Sequence, residues 1–167
     1  MSEATVNILG VGNTLMGDDG VGPAAVERLA ARGVPAHVRL HDAGLAVSDV
    51  LGRLDPADPL VVIDAVRAGD RPGTVYRMEA DASAAESLSG AALSLHELSV
   101  GPALEMEALT GRAFSHVTVF GVEPARVAWG EGLGPAVAAA MDRLVDAVLD
   151  QVKVPRGCLA LAGDEAP

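Results

Sequence analysis

An α/β domain with helices on both faces of a central sheet is the fold class this sequence predicts, on three observations. Short apolar strand candidates alternate with helix candidates along the chain, the rhythm of a sheet whose strands are joined by crossover helices. Leu60-Val61-Val62-Ile63 is an unbroken aliphatic run, as a strand covered on both faces requires. Residues 6–11 form an apolar strand candidate that runs into a glycine turn and then a helix.

The elements follow in order. Residues 21–32 carry Val21, Ala25, Val26 and Leu29 at helical spacing, with Gly33 as the stop. A short alternating strand is expected at 36–41, leading into Asp42-Ala43-Gly44. A brief helix over 46–54 ends before Asp55-Pro56, because a residue preceding proline is pushed out of the α region. The strand at 60–63 ends at Asp64, and Thr74–Met78 alternates as a further strand, read as an edge candidate. The Ala/Ser-rich stretch 80–94 has no period and reads as a loop leading to His96. A helix is expected over 97–110, with Gly101-Pro102 marking a kink or a delayed start. Residues 116–120 form another strand, and 134–152 the longest helix, with Pro135 in its first turn.

At 167 residues, the chain is most economically one domain, since about 150 residues already bury roughly 70% of their unfolded surface. That domain is placed at residues 1–154, and the small, polar stretch 155–167 is expected to be a flexible tail. The residues are 50% hydrophobic and 2% aromatic, so the core should be aliphatic. A formal net charge of −11 argues against nucleic acid or an anionic membrane as partner, because both need Lys and Arg to neutralise phosphates. No apolar run reaches membrane-spanning length, and the first residues lack a basic-then-apolar signal pattern. Cys158 is the single cysteine, too few for an internal disulfide or a cysteine-based zinc site. A soluble cytoplasmic monomer is expected.

In such sheets ligands gather beyond the carboxyl ends of the strands. Asp19 follows the first strand, Asp42 ends the second and Asp64 ends the third, so three acids are predicted at one rim. The turn Gly10-Val11-Gly12-Asn13-Thr14-Leu15 begins like a dinucleotide fingerprint but has leucine at the third glycine position, followed by Asp18 and Asp19. Asp42 also lies about 30 residues beyond the glycines, where a ribose-binding acid stands about 20 on. A turn carrying two carboxylates suits a cation better than a phosphate.

Asp19, Asp64 and His96 would suit a divalent transition ion, with open positions left for substrate or water. Each has a plainer reading. Asp19 could cap the helix that follows, Asp64 could be a solvated strand end, and His96 could flank its helix. An acid directly after four buried aliphatics must, however, find a partner or reach solvent. His41 adjoins Asp42, and strand neighbours point to opposite faces; Asp42 is taken as the one facing the site. His37 and His116 read as surface or structural. No G-x-S-x-G elbow is present, but Asp19 and Asp64 could also work as a metal-independent acid/base dyad. His96 tips the balance toward metal.

Gly10-Val11-Gly12-Asn13-Thr14-Leu15-Met16-Gly17-Asp18-Asp19-Gly20-Val21-Gly22 resembles the N-terminal signature of the hydrogenase maturation endopeptidases. Val62-Ile63-Asp64-Ala65 and Ser94-Leu95-His96-Glu97-Leu98 resemble that family's next two ligand segments. Phe120-Gly121-Val122-Glu123-Pro124 and Gly132-Leu133-Gly134-Pro135 are similar to two later ones. The resemblance runs from Ile8 to about Leu149. It implies a three-layer α/β/α fold with a twisted, mostly parallel sheet of about five strands. It implies a hydrolase, an endopeptidase of aspartic or metal-assisted type, that trims the C-terminus of a nickel-iron hydrogenase large-subunit precursor. Asp19, Asp64 and His96 would recognise nickel supplied by that precursor. Asp42 and Gly44 would border the substrate channel, where Asp42-Ala43-Gly44-Leu45 stands in place of the family's frequent Asp-Gly-Gly-Thr, a difference that bears on which hydrogenase is the partner. The alternatives are a non-catalytic nickel-binding or chaperone module on the same scaffold and the metal-independent dyad hydrolase.

Overall fold

A computed structural model describes residues 4–80 and 98–153 of the chain. The expected loop beyond Ala80, His96, the expected tail and Cys158 lie outside the described residues. Five strands, β1 (Val6–Val11), β2 (Val38–Gly44), β3 (Leu60–Ala65), β4 (Val75–Ala80) and β5 (Val117–Val122), form one sheet in the order β2-β1-β3-β5-β4. β2, β1, β3 and β5 run parallel, and β4 pairs antiparallel to β5 at the edge. The helices are α1 (Val21–Arg32), α2 (Val47–Leu51), α3 (Gly101–Leu109) and α4 (Pro135–Lys153).

Strand alternation divides the core into two apolar layers. Leu9, Leu60, Val62, Val117 and Val119 pack on one face with Val50 and Leu51 of α2 and Leu104 of α3. Ile8, Val61, Ile63, Phe120 and Val122 pack on the other with Leu29 of α1 and Met141, Leu144 and Val148 of α4. β3 is buried on both faces, which is why its sequence is aliphatic without interruption.

The glycines of the first turn serve close approach. A Cβ on Gly22, in the first turn of α1, would lie 2.2 Å from the Val11 carbonyl oxygen and 2.5 Å from that of Ile63. A Cβ on Gly10 would lie 2.5 Å from the Gly22 oxygen. The helix therefore starts in direct backbone contact with β1 and β3. Gly12, at φ +130°, turns the chain where a side chain would meet the Asp19 carbonyl at 1.8 Å.

Several boundaries differ from expectation. β2 starts at Val38 because residues 35–38 form a turn closed by Val38 N–H to the Pro35 carbonyl. It then runs on to Gly44, because a bulge opposite Gly10 and Val11 lets the pairing with β1 resume. β3 runs one residue past Asp64, to Ala65, with Asp64 paired to Gly121 of β5. α3 has the delayed start, at Gly101, with Pro102 in its first turn. α2 is shorter than expected, ending at Leu51.

Candidate active site

The turn after β1 and the ends of β2 and β3 place their acids at the carboxyl rim of the parallel strands, each held differently. Asp64 is 1% exposed. Its Oδ1 accepts the Ala65 N–H at 2.8 Å and its Oδ2 accepts the Ser99 hydroxyl. Burial pushes its pKa from the ordinary 3.8 up to about 6; the Ser99 and Ala65 hydrogen bonds offset part of that rise, and the Asp19 carboxylate adds to it by repulsion. Asp19 is half-buried, and its Oδ2 accepts the Asn13 N–H at 2.8 Å. It does not cap α1, whose N-cap residue is Gly20 and which receives no side-chain cap.

Asp42 is exposed at the end of β2, its Oδ1 accepting the Gly44 N–H at 3.1 Å. His41 is half-buried and joined to Asn7 Oδ1 at 2.9 Å; burial, aided by Arg53, lowers its pKa. Gly44 takes φ +50° and accepts the Gly12 N–H, bringing β2 against the glycine turn. The Ala43 methyl is buried in the core layer with Leu9 and Val11, whereas Leu45 is exposed. Of the two residues that depart from Asp-Gly-Gly-Thr, only Leu45 therefore presents its side chain to solvent. His37 bonds the Val152 carbonyl at 3.1 Å and His116 is exposed just before β5, both at the opposite end of the strands.

Asp18 is the acid whose part the sequence leaves unread. It is 1% exposed. Its Oδ2 accepts the N–H groups of Ala125 and Arg126 at 2.8 and 3.0 Å, and its Oδ1 that of Gly134 at 2.7 Å, just before α4. The same segments are laced through the backbone: Gly17 N–H to Gly130 O, Gly130 N–H to Leu15 O and Asp18 N–H to Arg126 O. An isolated parallel bridge pairs Met16 with Gly130. Flanking this bridge along the two segments are Leu15, 41% exposed, and Trp129, 76% exposed. Among the described residues no group of three His, Cys, Asp or Glu side chains is placed to hold a metal ion; His96 lies outside them.

A family model described as hydrogenase maturation protease matches residues 23–151. The chain belongs to the hydrogenase maturation protease family. It is 37% identical over 139 residues to the hydrogenase expression/formation protein HupD of Rhodobacter capsulatus, covering 82% of this chain and 66% of that protein. The chain thus spans just under two thirds of that relative's length. The hydrogenase 2 maturation protease of Escherichia coli is 32% identical over 144 residues, covering 85% of this chain and 87% of that one. The solved structure of the E. coli hydrogenase maturating endopeptidase HybD superposes with a TM-score of 0.74 at 28% identity, covering 89% of this chain and 92% of that one.

For this hydrogenase maturation protease relative, reading residues in sequence missed Ser99 and Glu123 as well as the role of Asp18. Ser99 had a signal, lying three residues beyond His96. Glu123 directly follows β5, is buried, and accepts the Ala68 and Gly69 N–H groups and the Tyr76 hydroxyl. It thereby ties down the loop that leaves β3 just after Asp64. Burial alone would raise its pKa, but these hydrogen bonds outweigh that and hold it below the ordinary carboxylate range.

Proposed function

We propose that this chain is the endopeptidase that removes the C-terminal extension of a nickel-loaded hydrogenase large-subunit precursor, acting as a cytoplasmic monomer. The observation that carries this reading is the convergence at one rim of the sheet of Asp64, buried under Ser99 in β3, and the turn carrying Asp19, which packs against β3. Nickel arrives as part of the substrate, already held by cysteines of the precursor. Asp19 and Asp64 are two hard oxygen donors for that ion, and His96 is the third ligand. Its place is supported by Ser99, which touches Asp64 and lies three residues further along, a span of at most about 10 Å of chain.

The acid pair explains selectivity for loaded precursor, since two adjacent carboxylates repel each other until a cation lies between them. The acid pair also supplies a base for hydrolysis. Once nickel lies between the two acids both carboxylates are held ionised, and an oxygen left uncoordinated can take a proton from the attacking water and pass it to the leaving amine. Asp42, exposed on β2, and Gly44, hydrogen-bonded to the glycine turn, line the approach in this reading, and Leu45 presents an apolar side chain where the family often has threonine.

Intact-mass analysis of a precursor, with and without nickel, tests the reading. Loss of a C-terminal peptide is expected only from the loaded precursor, and not with the His96→Ala variant. Cleavage regardless of nickel and His96 would leave a carboxylate dyad instead; nickel-dependent complex formation without cleavage would leave a binding module.

A further inference from the structure

Asp18 has no part in the chemistry proposed above, yet its buried carboxylate takes three backbone N–H groups from two stretches of chain more than a hundred residues away. A buried carboxylate is costly unless fully hydrogen-bonded, and neither apolar core layer involves this residue. What the clamp does fix is the turn carrying the next residue. Asp19 is bounded on one side by Gly12, where a side chain would collide with its carbonyl. Its carboxylate is held by the Asn13 amide, and on the other side stands the Asp18 clamp. We propose that Asp18 is a positioning residue, whose carboxylate binds the segment 125–134 to the first turn and so holds Asp19 against Asp64.

The kinetic part of this proposal rests on the proteolytic reading; the structural part does not. Asp18→Asn keeps the shape but turns an N–H donor toward one of the three N–H groups. The Asn13 amide, which donates to Asp19, is the direct readout. In Asp18→Asn its hydrogen-exchange protection should fall by about tenfold or more, while amides within β1, β3 and α4 keep theirs. On nickel-loaded precursor, kcat should fall by about 100-fold with KM changed less than about threefold, as for a displaced catalytic group.

Gly134→Ala is the milder second variant, usable if Asp18→Asn does not fold, because its Cβ would meet the Asp18 carboxylate at 3.2 Å. It should move both readouts the same way by a smaller factor. Val148→Ala, in the distant core layer, provides a stability control matched in Tm loss; it should leave Asn13 protected and kcat unchanged. Full Asn13 protection in both clamp variants, or equal loss in the Val148 control, overturns the proposal. An inactive unaltered protein would overturn the proteolytic reading alone, and the Asn13 amide would still decide the role of Asp18.

Discussion

Asp18 and Asp19 are chain neighbours with the same side chain and opposite commitments: the first is spent on backbone donors, and the second, held by one amide, retains acceptor capacity for a ligand. Asp64 stands between these cases, buried and hydrogen-bonded but at a pKa of about 6. Because this is above its ordinary 3.8, the folded state holds a proton that the unfolded chain has released, so stability falls as pH rises from about 4 through 6. The shift of about two units corresponds to roughly 3 kcal/mol as an upper bound. Asp64→Asn can accept from Ala65 and donate to Ser99. It should raise Tm by several degrees at pH 8, show no gain below pH 4 and abolish cleavage; thermal melts at both pH values and the precursor assay check this. Glu123 has the opposite sign. Its depressed value stabilises the fold above the ordinary carboxylate range, and that contribution is lost as pH falls through the depressed value. Glu123→Gln should therefore lower Tm at pH 7, with the difference closing in acid.

At the scale of elements, β3 and α1 are legible because each obeys one local rule: burial on both faces for the strand, and helical spacing with a glycine stop for the helix. The end of β2 is not, because the bulge that carries it to Gly44 is a matter of pairing with β1, not of its own residues. The site divides the same way. Asp64 announces itself as an acid closing an aliphatic run. The partners of Asp18 lie 107 to 116 residues away and exist only once β5 and α4 are docked. Asp42 was placed by its position at a strand end, and it stands exposed there. The helix-to-sheet contact at Gly22 gives a sharp test. Gly22→Ala puts a methyl against two backbone oxygens and should cost more than about 3 kcal/mol in denaturant unfolding. Gly33→Ala, with open space around it, meets backbone strain alone at φ +81° and should cost less, about 1–3 kcal/mol.

Across the whole molecule, two aliphatic layers account for the core and leave the acids to the rim. With 2% aromatics the chain has one tryptophan, and the fold holds it in solvent beside Gly130, whose backbone is tied to Leu15 and Gly17 of the turn carrying Asp19. The protein thus carries its own optical reporter, on the segment laced to the turn that carries Asp19 and free of any competing indole. On the proposed reading, a nickel-loaded precursor whose tryptophans are replaced by phenylalanine should shift Trp129 emission to shorter wavelength as it covers the ring. An unchanged spectrum under conditions that permit cleavage would mean that the substrate, entering past Asp42, stops short of Trp129, so unlabelled fluorescence alone can map how far the bound chain reaches.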